Sequence, residues 1–135
     1  MITRLAVAAF LLVHGAIHAG YISSRPPATA GGPAWPFTLD RSWLLAPLGA
    51  GPDVARLVGL ALFAATMGGF AIAAIAVVGF VPAAFWPAGV SVGAIASLAL
   101  LLLFFHPWLL LGVAIDLVLL WAVLIADWAP EGVGV

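Results

Sequence analysis

The chain contains no cysteine, lysine, asparagine or glutamine. Without cysteine it forms no disulfide, no thiolate metal site and no thiol redox relay, and without asparagine it carries no N-glycan. Charge is also scarce. Its cations are four arginines, too few to cover the phosphates of a nucleic acid. Charged residues make up 7% of the 135 positions, where a soluble domain has about a quarter. Apolar side chains dominate instead, with 66% hydrophobic residues and a mean hydropathy of +1.29. Such a chain has too little polar surface to cover a water-soluble fold, so a bilayer is the expected solvent.

A membrane-spanning helix takes roughly 17–25 mostly apolar residues. Four stretches meet that length: 5–22, 57–81, 88–105 and 108–126. They predict an all-α integral membrane bundle of four transmembrane helices, forming a single domain over 1–135. Arg4, the apolar run Leu5–Val13 and the small-x-small pattern Ala28-Thr29-Ala30 have the order of a secretory signal. The cleavage pattern lies far beyond the apolar core, so the segment reads as a retained helix. Residues 82–87 join the second and third helices, and His106-Pro107 joins the third and fourth. Connections this short place consecutive helices antiparallel. Four spans put both termini on one side. Arg25, Arg41 and Arg56 stand on the first-loop side against Arg4 on the other, so the positive-inside rule favours a cytoplasmic first loop in a bacterial inner membrane.

The connection 23–56 is long, rich in proline and tryptophan, and broken by Pro26-Pro27 and Gly31-Gly32. Its middle, from Trp35 to Leu45, is aromatic and apolar. Two readings fit that composition. The segment lies in the membrane interface with Trp35 and Trp43 at headgroup depth, or it folds over the helix ends. Small residues recur every fourth position in two helices, at Ala65, Gly69 and Ala73 and at Gly89, Gly93 and Ser97. Helices in lipid pack closely along such stripes, which predicts tight contact between the second and third helices.

Asp116 is the most informative residue. A central Asp costs about 2.5–3.5 kcal/mol on the insertion scale, so it is expected to face the bundle interior with a partner. It lies roughly 12 Å below Trp108 at 1.5 Å per residue, and His14 lies equally deep from the end of the first helix near Ile22. His14, His18 and Tyr21 are spaced by four and three, on one helical face. A His14–Asp116 hydrogen bond would satisfy both groups. The same three residues, His14, His18 and Asp116, are the candidate metal ligands, since two imidazoles one turn apart can share an ion. Tyr21, Arg56 and His106 extend this polar cluster toward the membrane boundary. His106 reads as a cap on the C-terminus of the third helix, and Asp127 as part of an interfacial helix stop, Asp127-Trp128-Ala129-Pro130.

The stretch from Leu11 to His18, LLVHGAIH, resembles the His-Gly-bearing first helix of small DoxX-like bacterial membrane proteins. The resemblance spans about one helix and the overall layout. It implies a four-helix protein associated with membrane oxidoreductase systems, and it assigns no site residue here. The residues are compatible with two classes of function. One is a non-catalytic subunit or scaffold that packs against other membrane proteins or a second copy of itself. The other is a working site of His14, His18 and Asp116 for a metal ion, a quinone or a proton, for which histidine's unperturbed pKa near 6.5 is suited. No cofactor is named by the sequence, and whether the chain is an enzyme is left open.

Overall fold

A computed structural model describes residues 1–27, 30–32 and 34–133, so the Ala28-Thr29 part of the small-x-small pattern lies outside the described residues. Among them there are four α-helices and no strand: α1 (Ile2–Ile17), α2 (Pro52–Val78), α3 (Phe85–Leu103) and α4 (Leu110–Leu124). Short 3-10 turns extend α1 (His18–Tyr21) and precede α4 (Pro107–Leu109), and a third covers Ala46–Leu48. With those extensions all four helices are long and apolar enough to cross a membrane.

The helix boundaries depart from the apolar runs for local reasons. α2 starts five residues before the run expected at 57, with Gly51 as N-cap and Pro52 in its first turn. Proline is preorganised there because its missing N–H would be unpaired anyway. Asp53 follows in the same first turn, where an acid suits the helix dipole. α2 ends at Val78, three residues before 81, and is followed by Gly79, whose φ of +95° lets its N–H bond back to the helix carbonyls. α3 begins at Phe85, ahead of the expected 88. Pro87 therefore sits inside its first turn, where no intrahelical N–H bond is lost. Hydropathy marks the span, while capping residues set the ends.

Helices α2 and α3 make the most extensive contact, and α1 packs on α2 and α4 on α3. The small-residue stripes form the first of these seams. A Cβ added at Gly69 would lie 2.3 Å from the backbone nitrogen of Gly93, and one added at Gly89 would lie 2.7 Å from that of Ala73. The backbones touch, as the spacing predicts. Helix α4 is the least buried of the four.

Each end of the bundle is closed by irregular chain. The first loop is folded over the helix ends. Ser42 Oγ donates to the carbonyl of Leu103 at 2.6 Å, and Trp43 Nε1 donates to that of Leu102 at 2.7 Å. These are among the last carbonyls of α3, which have no intrahelical donor. Leu39 packs on Gly59, where a Cβ would meet its side chain at 2.5 Å, and Phe37 covers Gly20 in the same way. At the opposite end Arg4 donates to the carbonyl of Val77 in the last turn of α2. The tail after α4 returns over that end. Trp86 Nε1 donates to the carbonyl of Trp128, and Val133 is buried in the same apolar cluster as Ala8 and Trp86. The start of α1 and the described tail after α4 thus share one end.

Candidate functional site

Asp116, on α4, is completely buried, and its side-chain partners come from α1 and α3. His14 Nε2 lies 2.8 Å from its Oδ1, and Ser97 Oγ lies 2.5 Å from its Oδ2. Ser97 Oγ is also 2.9 Å from His18 Nε2, and His18 Nδ1 is 3.1 Å from the backbone carbonyl of His14. The four side chains therefore close a ring: His14 to Asp116, Asp116 to Ser97, Ser97 to His18, and His18 back to the backbone at His14. None of the four is more than 4% exposed.

Local sequence explains how each group arrives there. His14 and His18 are one turn apart on α1 and its 3-10 extension, with ring centroids 5.6 Å apart and nearly perpendicular. Phe10, a turn before His14, stacks on its ring at 6.0 Å, and Phe70 of α2 meets it edge-on at 5.3 Å. The apolar walls hold the imidazole against the acid and keep water away. Ser97 and Asp116 lie symmetrically about the α3–α4 turn, nine residues before His106 and nine after Pro107. An antiparallel hairpin brings such positions to equal depth.

The expected His14–Asp116 pair is present, and His18 joins it through Ser97. The serine had stood out in the sequence only as a small packing residue on the α3 stripe. Its spacing from the α3–α4 turn, equal to that of Asp116, is the sequence signal that marks it. His14, His18 and Asp116 are gathered in one cluster, but His14 Nε2 points at the carboxylate and His18 Nε2 at the serine. Among the described residues no group of three His, Cys, Asp or Glu side chains is arranged to hold a metal ion.

The outer polar residues do not extend this ring. Tyr21 is buried between Phe37 and Phe104, at centroid distances of 5.2 and 6.3 Å, and its hydroxyl has no hydrogen-bond partner among the described residues. Arg56 is exposed on the first turns of α2, outside the ring. His106 caps the next helix rather than the previous one. Pro107 occupies the first position of the turn, the first free N–H belongs to Trp108, and His106 Nδ1 accepts it at 3.3 Å. Asp127 lies outside α4, exposed and at a φ of +47°, where the chain has left the helix. The helix stop expected at Asp127-Trp128-Ala129-Pro130 is what the chain forms.

No known family model matches the chain, and comparison with characterised proteins and with solved structures likewise finds no match.

Proposed function

We propose that the chain is an integral membrane protein that acts as a non-catalytic subunit or scaffold, a four-helix unit locked in one arrangement by an internal polar clamp. One observation carries this reading: the acid on the least buried helix is fully engaged inside the bundle. Both carboxylate oxygens of Asp116 are hydrogen-bonded, to α1 and to α3. Backbone contact between α1 and α4 is slight, so the His14–Asp116 bond adds a direct tie between these two helices. Hydrogen bonds of this kind are worth about 0.6–2 kcal/mol in lipid. The outer surface of α4 is left apolar, with Leu110, Leu111, Leu117, Val118, Trp121 and Leu124 exposed. That face suits lipid tails or the apolar helix of a neighbouring membrane protein.

The test is cross-linking in native membranes, followed by native gel electrophoresis of the mild-detergent extract. The scaffold reading expects this chain within an assembly larger than a monomer, either with other membrane proteins or with copies of itself. Recovery as a monomer alone, before and after cross-linking, overturns it.

A second reading is favoured by the serine that links the acid to a second imidazole. A cluster of Asp116, His14 and His18 is a working site for a proton, a quinone or a metal ion, because ionisable residues inside a membrane mark such sites. Asp116→Asn separates the two readings. A clamp keeps its fold and its assembly in that variant, whereas a working site keeps its fold and loses its metal content or its pH-dependent signal.

A further inference from the structure

The hydrogen-bond ring around Asp116 has more donor positions than a single fixed set of protons fills. A backbone carbonyl only accepts, so the contact from His18 Nδ1 to the carbonyl of His14, at 3.1 Å, places a hydrogen on Nδ1. The state of His18 Nε2 is then set by Ser97, whose hydroxyl has one proton and two neighbours. It lies 2.9 Å from His18 Nε2 and 2.5 Å from Asp116 Oδ2.

With His14 Nε2 donating to Asp116 Oδ1, two arrangements satisfy every contact. In the first, Ser97 donates to an Asp116 carboxylate, and Nε2 carries a hydrogen that it donates to Ser97 Oγ. His18 is then an imidazolium paired with the carboxylate through the serine. In the second, Asp116 Oδ2 carries the hydrogen and donates it to Ser97 Oγ, while Ser97 donates to an unprotonated Nε2. Both groups are then neutral. The His14 Nε2 contact with Oδ1, at 2.8 Å, is the same in both.

We propose that Asp116, Ser97 and His18 form a one-proton relay inside the bundle, in which the serine hydroxyl passes a single proton between the acid and the imidazole. The exchange breaks the Nε2–H and Ser97 Oγ–H bonds and forms a new Oγ–H and an Oδ2–H. One proton leaves the imidazole, one reaches the carboxylate, and the serine ends with the number it began with. No net charge enters or leaves, which matters where desolvation makes an uncompensated ion costly. The other polar groups near the ring leave this count intact. Thr66 of α2 is turned to its own helix, donating to the carbonyl of Leu62. Tyr21 lies beyond His18, with ring centroids 6.5 Å apart, and Arg56 is exposed at the end of α2. The relay concerns the ring alone and is independent of whether the chain is a subunit.

The experiment is nitrogen-15 solid-state NMR of histidine in the full chain reconstituted in lipid bilayers, with infrared spectroscopy of the carboxyl stretch. In the wild type, the His18 Nε2 resonance should lie averaged between protonated and unprotonated positions, with Nδ1 fixed as protonated. A protonated-carboxyl band of partial intensity should disappear in Asp116→Asn. Ser97→Ala should remove the averaging, leaving His18 in one state, and Ser97→Thr, which restores the hydroxyl, should recover it. A wild-type Nε2 in one fixed state overturns the relay without any variant. Averaging that survives in Ser97→Ala overturns it as well. Neither result depends on the oligomeric assembly, so the relay and the scaffold reading fail separately.

Discussion

Two helix seams in this bundle hold by opposite means. Between α2 and α3 the contact is dry and made of backbone, with Gly69 and Ala73 against Gly89 and Gly93. Between α1 and α4 backbone contact is slight, and a buried polar bond from His14 to Asp116 spans the two helices. The first seam gains from many small dispersion contacts, each about 0.1–0.2 kcal/mol, and tolerates no added atom. The second depends on a few groups that are costly to leave unpaired. Substitutions should therefore act differently at the two seams: adding volume breaks the first, and removing a hydrogen-bonding group loosens the second.

The largest effect is expected at Gly69. In Gly69→Ala the new methyl would stand 2.3 Å from one backbone atom and 2.6 Å from another, both of Gly93. Backbone cannot swing aside, so the helices must separate, at a cost near the upper end of the usual overpacking range, about 3 kcal/mol. Thermal unfolding in detergent should show it as a marked fall in midpoint. Gly93→Leu tests whether the two seams communicate. The added carbon meets the Phe70 ring at 2.7 Å, and that ring also packs edge-on against His14. This variant should lose about 2–3 kcal/mol by overpacking and also shift the NMR signals of His14. A stability loss with unchanged His14 signals would show that the seams are independent.

At the polar seam the expected losses are smaller. Asp116→Asn keeps the shape and one acceptor oxygen while removing the other, and should cost between about 1 and 2 kcal/mol. Helical content by circular dichroism should be retained. A loss as large as that of Gly69→Ala would mean that the polar ring holds the bundle together as strongly as the glycine seam does. Ser42→Ala probes the loop that closes the same end. It leaves the Leu103 carbonyl without its side-chain donor and should cost about 1 kcal/mol, the net worth of one hydrogen bond.

How far the sequence disclosed these seams depended on the kind of signal. Long apolar runs and a four-residue spacing of small side chains have a period, so the four helices and the glycine seam were legible. Asp116 and His14 were legible because an acid in an apolar run demands a partner and equal depth supplies one. Ser97 was not, since serine is common in apolar helices and its hydroxyl acquires a role only once folding brings it to His18 and Asp116. The first loop left two readings open for a similar reason. Its composition fitted the interface as well as a cap, and the bonds from Ser42 and Trp43 to the end of α3 are long-range. The role of His106 turned on geometry as well, because a histidine between two helices can face either one until the backbone direction is known.

The smallest effect sharpens the comparison most, because it lies one residue from the largest. Gly68 is adjacent to Gly69 on α2, yet it is exposed and a Cβ added there meets nothing within 4 Å. It sits in the interior of a 27-residue helix, where glycine is less favourable than alanine by roughly 0.5–1 kcal/mol because it loses more backbone freedom on folding. Gly68→Ala should therefore leave stability unchanged or raise it by that amount, with a slightly higher unfolding midpoint in the same detergent assay. The two substitutions add the same methyl group to neighbouring residues of one helix, so propensity and hydrophobicity cancel between them. The difference isolates the contact with α3. Equal destabilisation of Gly68→Ala and Gly69→Ala would show that α2 does not present Gly69 to Gly93, and the backbone seam would have to be abandoned.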